Sequence, residues 1–130
     1  MMLESGIKGS ASVLVTAENT AAALGSGELN VFATPALAAL VEKACWQSVA
    51  PALDAGCGTV GSALTLAHTA PTPVGMTVRC DCTLTAVEGR KLTFTATLYD
   101  DAGTVGHADH ERFIVQNDRF QQKADAKRAQ

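Results

Sequence analysis

The run VFATPALAALVEKAC, residues Val31 to Cys45, decides the fold. Thr34 suits a helix start, because its hydroxyl can accept from an orphan backbone N–H. Pro35 then falls at the first helical position, where a missing N–H costs little. The pattern continues to about Val49, and Pro51 helps to stop it. Leu37, Leu40, Val41, Ala44 and Ser48 line one face, widened by Ala38, Cys45 and Val49. Between Thr34 and Val49 only Glu42 and Lys43 are charged, so this helix should be wrapped by other structure on most sides.

Working outward, Ile7 to Thr16 alternates loosely and reads as a strand, and Thr20 to Asn30 as a loop with some helical turns. Downstream, Thr59 to His68 reads as a strand with Val60, Leu64, Leu66 and His68 on one side and Ser62 among them. Period-two alternation from Met76 to Val87 sets Val78, Cys80, Cys82, Leu84 and Ala86 against Thr77, Arg79, Asp81, Thr83 and Thr85. After a turn at Glu88-Gly89-Arg90, Leu92, Phe94, Ala96 and Leu98 alternate with Thr93, Thr95, Thr97 and Tyr99. Asp100 to Gly103 turns the chain again, and Thr104 to Val115 returns. Each strand offers one apolar face, and the helix must lie across it. The expected fold is α+β, an antiparallel sheet curled around a long helix. Residues 1–117 form this domain, and 118–130 read as a polar tail or short helix.

A chain of 130 residues suits one domain able to bury a core without staples. A net charge of −3 argues against nucleic acid, whose binders usually carry a basic stripe. The segment MMLESGIKGS has no apolar signal core, and no apolar run approaches the ~20 residues that span a membrane. A cytoplasmic location is expected, with Cys45, Cys57, Cys80 and Cys82 as reduced thiols.

Glu42 is the residue that a plain structural helix explains least. Its neighbours one turn away, Ala38, Val41, Cys45 and Trp46, are apolar. A carboxylate there is costly to bury unless paired, and such positions are enriched in catalytic groups. His68 ends its strand, either as a hydrogen-bonded core histidine or at a pocket rim, where histidine suits proton transfer. Thr34 is explained as a cap, and a hydroxyl contact with substrate or water would be a second role. Cys80-x-Cys82 with His107 and His110 resembles a metal set, but alternation turns both thiols into the apolar face, so no metal site is expected. No helix follows Gly56, Gly58 and Gly61, so they make no phosphate loop, although Gly61 could let a ligand approach the backbone. Arg90 and Lys91 form a small basic turn.

Together with GTVGSALTLAHTAPTPVGMTV and EGRKLTFTATLYDDAGTVGHADHERFIV, the opening run resembles the hotdog-fold thioesterases, in the group that includes fluoroacetyl-CoA thioesterase. The match covers about Ile7 to Val115. It rests on ATP at the helix start, Glu eight residues after Thr, and H-x-A-x-T-P-V-G after the strand. The resemblance implies a hotdog fold and hydrolysis of acyl-CoA thioesters. Thr34, Glu42 and His68 would be the catalytic residues, while Gly61, Phe32 and Arg112 would contact substrate. It implies no metal or redox cofactor, coenzyme A being part of the substrate. The fluoroacetyl-specific enzyme covers its acyl group with aromatic residues ahead of the helix. Here that segment, TAAALGSGELNVF, carries Phe32 alone, which implies a general short or medium acyl-CoA.

A homodimer, or a tetramer built from it, is expected, because sheet edges invite pairing and the apolar Val31-Phe32-Ala33 segment adds surface that a monomer would have to leave wet or fold away. The resemblance adds that hotdog active sites draw residues from two chains. Two other readings stay open: a module that binds an acyl-CoA or small apolar ligand without turnover, and an acyl-CoA hydratase or dehydratase.

Overall fold

In the computed structural model, residues 3–129 are described. Strand β1 (Lys8–Leu14) leads to a short helix α1 (Ala21–Leu24) and the long helix α2 (Thr34–Val49). Strands β2 (Cys57–His68), β3 (Thr77–Glu88), β4 (Lys91–Asp100) and β5 (Gly103–Gln116) follow, then α3 (Asn117–Asp125). The strands form one antiparallel sheet in the order β1-β3-β4-β5-β2. The sheet curls around α2, so the architecture is α+β.

The core lies between them. Leu37, Leu40, Val41, Ala44, Cys45 and Val49 of α2 meet Val78, Cys80, Cys82 and Leu84 of β3 and Leu92, Phe94 and Leu98 of β4. Burying each of the larger side chains contributes about 1.5–3 kcal/mol. A glycine sets how closely helix and sheet approach. A Cβ on Gly9 of β1 would lie 2.5 Å from the Ser48 Cβ on α2. Cys45, Cys80 and Cys82 are buried free thiols and Cys57 is half-buried. Burial pushes the Cys80 thiol up to about 12, with Cys82 and Asp81 adding to the rise. Among the described residues no cluster of three His, Cys, Asp or Glu could hold a metal ion.

Two bulges shift the expected faces. The β2 register slips against β5 between Gly61 and Ala63, so Ser62 is the extra residue. Gly61 pairs with the inward Arg112, and Leu64 with the inward His110. Val60 pairs instead with Phe113 and lies on the outer face, opposite to Leu64 and not beside it. A second slip between Leu84 and Ala86 sends Ala86 outward with Thr93 and brings Val87 in with Leu92. An extra residue shifts the two-residue period by one, so every later side chain changes face.

The helix is covered around most of its circumference and leaves one face, with Ala39, Lys43, Trp46 and Gln47, exposed. The Val31-Phe32-Ala33 segment is folded away and not left wet, since Phe32 and Ala33 are fully buried. A bridge from Thr20 to Phe32 and another from Val31 to Pro73 pull this strap onto the fold. The 118–130 segment begins within α3, which is exposed along its length.

Candidate active site

Helix α2 begins one residue earlier than the capping pattern suggests. Ala33 is the cap and has no side-chain cap bond, Thr34 is the first helical residue, and Pro35 is the second. The Thr34 hydroxyl is therefore not capping a backbone N–H. It lies 2.7 Å from Nδ1 of His68, where β2 ends. The His68 Nε2 atom is buried and has no hydrogen-bond partner among the described residues. Burial lowers the His68 pKa below its ordinary value, with the Ala70 backbone opposing, so the ring is neutral at neutral pH. A neutral imidazole with one nitrogen held by a hydroxyl and the other unpartnered is equipped to take or deliver a proton. This pair opens on a cleft of about 270 Å³, also lined by Ala21, Ser26, Val31, Phe32 and Pro71. Phe32 lines this cleft although it is itself buried.

Glu42 stands elsewhere. It lies eight residues beyond Thr34, which is ~12 Å along a helix axis. It is not enclosed by its apolar neighbours: its side chain is 45% exposed, and Oε1 lies 3.6 Å from Nη1 of Arg112. The carboxylate also sits over Gly61, where an added Cβ would come within 2.8 Å of Oε1. Glu42, Gly61, Ser62, Ala63, Leu64 and His110 line a second cleft of about 230 Å³.

Arg112 is buried and firmly held. Its Nε donates to Thr59 Oγ1 at 2.8 Å and its Nη2 to the Thr59 carbonyl at 3.0 Å. Nη1 contacts His110 Nε2 at 3.1 Å, and His110 Nδ1 contacts the Ala63 carbonyl at 2.8 Å. Burial lowers the Arg112 pKa, with Glu42 opposing. His110 is lowered too, first by burial and further by the Arg112 charge, while the Ala63 carbonyl opposes.

Within one chain, then, the residues form two groups. Thr34 and His68, with Phe32, stand at one end of β2; Glu42, Gly61 and Arg112 stand near its bulge. The two clefts share no lining residue. Thr59 and His110 belong to the second group, and the sequence reading gave neither a role there. His110 alternates with Ala108 and Arg112 on the inner face of β5, a parity visible in the sequence.

Comparison with known proteins narrows what this arrangement is. Residues 15–118 match the model of the fluoroacetyl-CoA-specific thioesterase family. The chain is 39% identical over 93 residues to the fluoroacetyl-CoA thioesterase of Streptantibioticus cattleyicolor, across 72% of this chain and 67% of that protein. A threonine variant of the fluoroacetyl-CoA thioesterase FlK in complex with fluoroacetate superposes with a TM-score of 0.90 at 31% identity, covering 96% of this chain and 98% of that one. A hot-dog-like protein from Thermanaerovibrio acidaminovorans shares the fold at 19% identity, with a TM-score of 0.86 over 96% of this chain and 93% of the other. The fold is therefore a hotdog fold. The chain belongs to the fluoroacetyl-CoA-specific thioesterase family.

Proposed function

We propose that this thioester hydrolase cleaves short or medium acyl-CoA thioesters to the free acid and CoA, with Thr34, Glu42 and His68 as its catalytic residues. The observation that carries the reading is the 2.7 Å contact between the Thr34 hydroxyl and a neutral His68 whose second nitrogen is buried and unpartnered. A histidine serving only the core would have that nitrogen satisfied.

The chemistry follows from the groups present. Water adds to the thioester carbonyl while Glu42 takes its proton, or the Glu42 carboxylate attacks and the resulting anhydride is hydrolysed. Either route makes a tetrahedral oxyanion. Backbone N–H groups beside Gly61 are the donors for it, since a bulge interrupts the ladder and leaves a residue unpaired. Collapse breaks the C–S bond, and a proton relayed through His68 completes CoA-SH. Thr34 orients the ring. Phe32 and the small residues of its cleft receive the acyl group, and Arg112 holds Glu42.

The working unit in this reading is a homodimer. β2 is an edge of the sheet. Antiparallel pairing of two β2 edges about a two-fold axis would set the bulge end of one strand, with Gly61 and Glu42, towards the far end of the other, with His68 and Thr34. That joins the two half-sites. A cytoplasmic setting suits four unpaired cysteines. No metal or redox cofactor enters the reaction, and CoA takes part only as substrate.

The test is free-thiol release from a panel of acyl-CoAs by wild type and by Glu42→Gln. Wild type should release thiol, and Glu42→Gln should keep its fold while kcat falls at least ~10²-fold, the scale of a lost general base. Saturable binding without thiol release would make the protein a binding module. A changed double bond without thiol would make it a hydratase.

A further inference from the structure

We infer that His110 is a positioning residue of this site: it accepts a hydrogen bond from Arg112 and so aims the guanidinium that holds Glu42 beside Gly61. The inference rests on the proposed role of Glu42 in thioester hydrolysis.

The argument begins with what each group can do. A guanidinium has only donors. The 3.1 Å contact from Arg112 Nη1 to His110 Nε2 is therefore a hydrogen bond only if Nε2 offers a lone pair. The ring proton must then be on Nδ1, and Nδ1 lies 2.8 Å from the Ala63 carbonyl, a group that can only accept. Both contacts demand the same neutral tautomer. His110 is 2% exposed, so water has little access to replace either partner. A histidine kept only for packing needs no bond to the cation of the site.

The arrangement decides where Nη1 sits. Thr59 holds the Nε and Nη2 side of Arg112. Nη1 is the nitrogen that reaches Glu42, and His110 is its other contact. The three groups converge on one point: a Cβ on Gly61 would lie 2.8 Å from Glu42 Oε1 and 3.3 Å from both Arg112 Nη1 and His110 Cε1. The bulge serves the same end, because Ala63, whose carbonyl sets the tautomer, follows the extra residue Ser62.

Burial first, and then the Arg112 charge, keep His110 neutral and an acceptor, against Glu42 and Glu111, which favour its protonation. On β5 it faces Arg112, with Glu111 next in the chain. From α2 it feels Glu42, while Cys45 lies near Arg112. β2 offers the uncharged Ala63 carbonyl, Gly61 and Leu64, and β4 offers the Phe94 ring, 6.2 Å away between centroids. Protonation would set a second cation against Arg112 and remove the lone pair that Nη1 needs.

The test combines a spectrum with a mutant cycle. Nitrogen-15 NMR of the wild-type imidazoles at pH 7 should show His110 as the Nδ1–H tautomer; an Nε2–H ring or an imidazolium overturns the inference. In thiol-release assays His110→Leu should lower kcat about 10-fold or more, the cost of a misplaced group, with little change in KM. His110→Gln, whose carbonyl can still accept from Arg112, should retain most of the wild-type kcat. In an Arg112→Gln background, His110→Leu should cost nothing further. Full additivity overturns the role, as does a His110→Gln variant as impaired as His110→Leu. If His110→Leu does not fold, the spectrum and the His110→Gln assay decide. Wild-type silence towards every acyl-CoA removes the hydrolase reading and this role with it, whereas wild-type turnover with additive losses removes this role alone.

Discussion

The Thr34 hydroxyl meets His68 Nδ1 at 2.7 Å, and the helix that Thr34 begins is left without a side-chain cap. A residue well suited to stabilise a helix end is thus turned to a histidine 34 positions away. The energy of a cap, typically ~1 kcal/mol, is forgone at that position.

The first prediction follows from that geometry. Thr34→Val removes the hydroxyl but no cap bond, so its melting temperature should stay close to wild type while kcat falls. Thr34→Ser should restore part of the activity. Calorimetry beside a thiol-release assay checks both. A large drop in melting temperature with intact kcat would return Thr34 to a structural role.

Gly61 makes a second case. Its missing side chain is what lets the Glu42 carboxylate lie over β2, because a Cβ there would come within 2.8 Å of Oε1. Gly61→Ala must displace the exposed end of Glu42, and the buried Arg112 Nη1 and His110 Cε1, each 3.3 Å from the added Cβ, must also give. The expected outcome is a folded protein with a lowered melting temperature whose kcat drops by about 10²-fold, the effect of moving a catalytic group by an ångström. Unchanged kcat would separate Gly61 from the reaction.

A third prediction concerns pH. Burial holds both His68 and His110 below the ordinary histidine pKa, so the folded state favours their neutral forms. Their contribution to stability is complete above the unfolded value of about 6.5 and is lost as pH falls through the lower folded values. Wild type should therefore lose melting temperature between pH 7 and pH 5. The double variant His68→Gln/His110→Gln should lose less over the same interval. Parallel curves for the two proteins would mean that neither imidazole is linked to folding.

Much of the architecture was legible in the sequence because alternation and helical spacing both report burial. Leu92, Phe94 and Leu98 fall on the buried face, and α2 ends at Val49 before Pro51. The two bulges were not legible. Ser62 and Thr85 are small or polar residues among others like them, and nothing in their side chains marks them as extra. Val60 and Ala86 were therefore given the wrong face. Thr34 illustrates another limit: the same hydroxyl suits a cap and a partner for His68, and only the position of β2 decides. Arg112 enters the sequence reading only through the family resemblance, as a substrate contact, and His110 only in a metal set that alternation argues against. Their convergence on Glu42 depends on the β2–β5 register, which a single strand does not contain.

The last prediction is the assembly. One chain keeps Thr34 and His68 in one cleft and Glu42 and Gly61 in another. The ~12 Å of helix between Thr34 and Glu42 favours a site shared between two chains. The edge strand β2 carries members of both half-sites, and its free side is open to a second β2. Activity should therefore follow the dimer. Sedimentation at assay concentration should give about twice the chain mass of 13.4 kDa, and specific activity should decline on dilution as the dimer dissociates. Mixing is the sharper test. Glu42→Gln and His68→Ala are each expected to be nearly inactive alone. A heterodimer of the two has one composite site with both defects and one with neither, so co-refolding them should recover about a quarter of wild-type activity: half the dimers are mixed and each holds one intact site. No recovery, with exchange of subunits confirmed by mass, would put each site within one chain and rule out the shared arrangement.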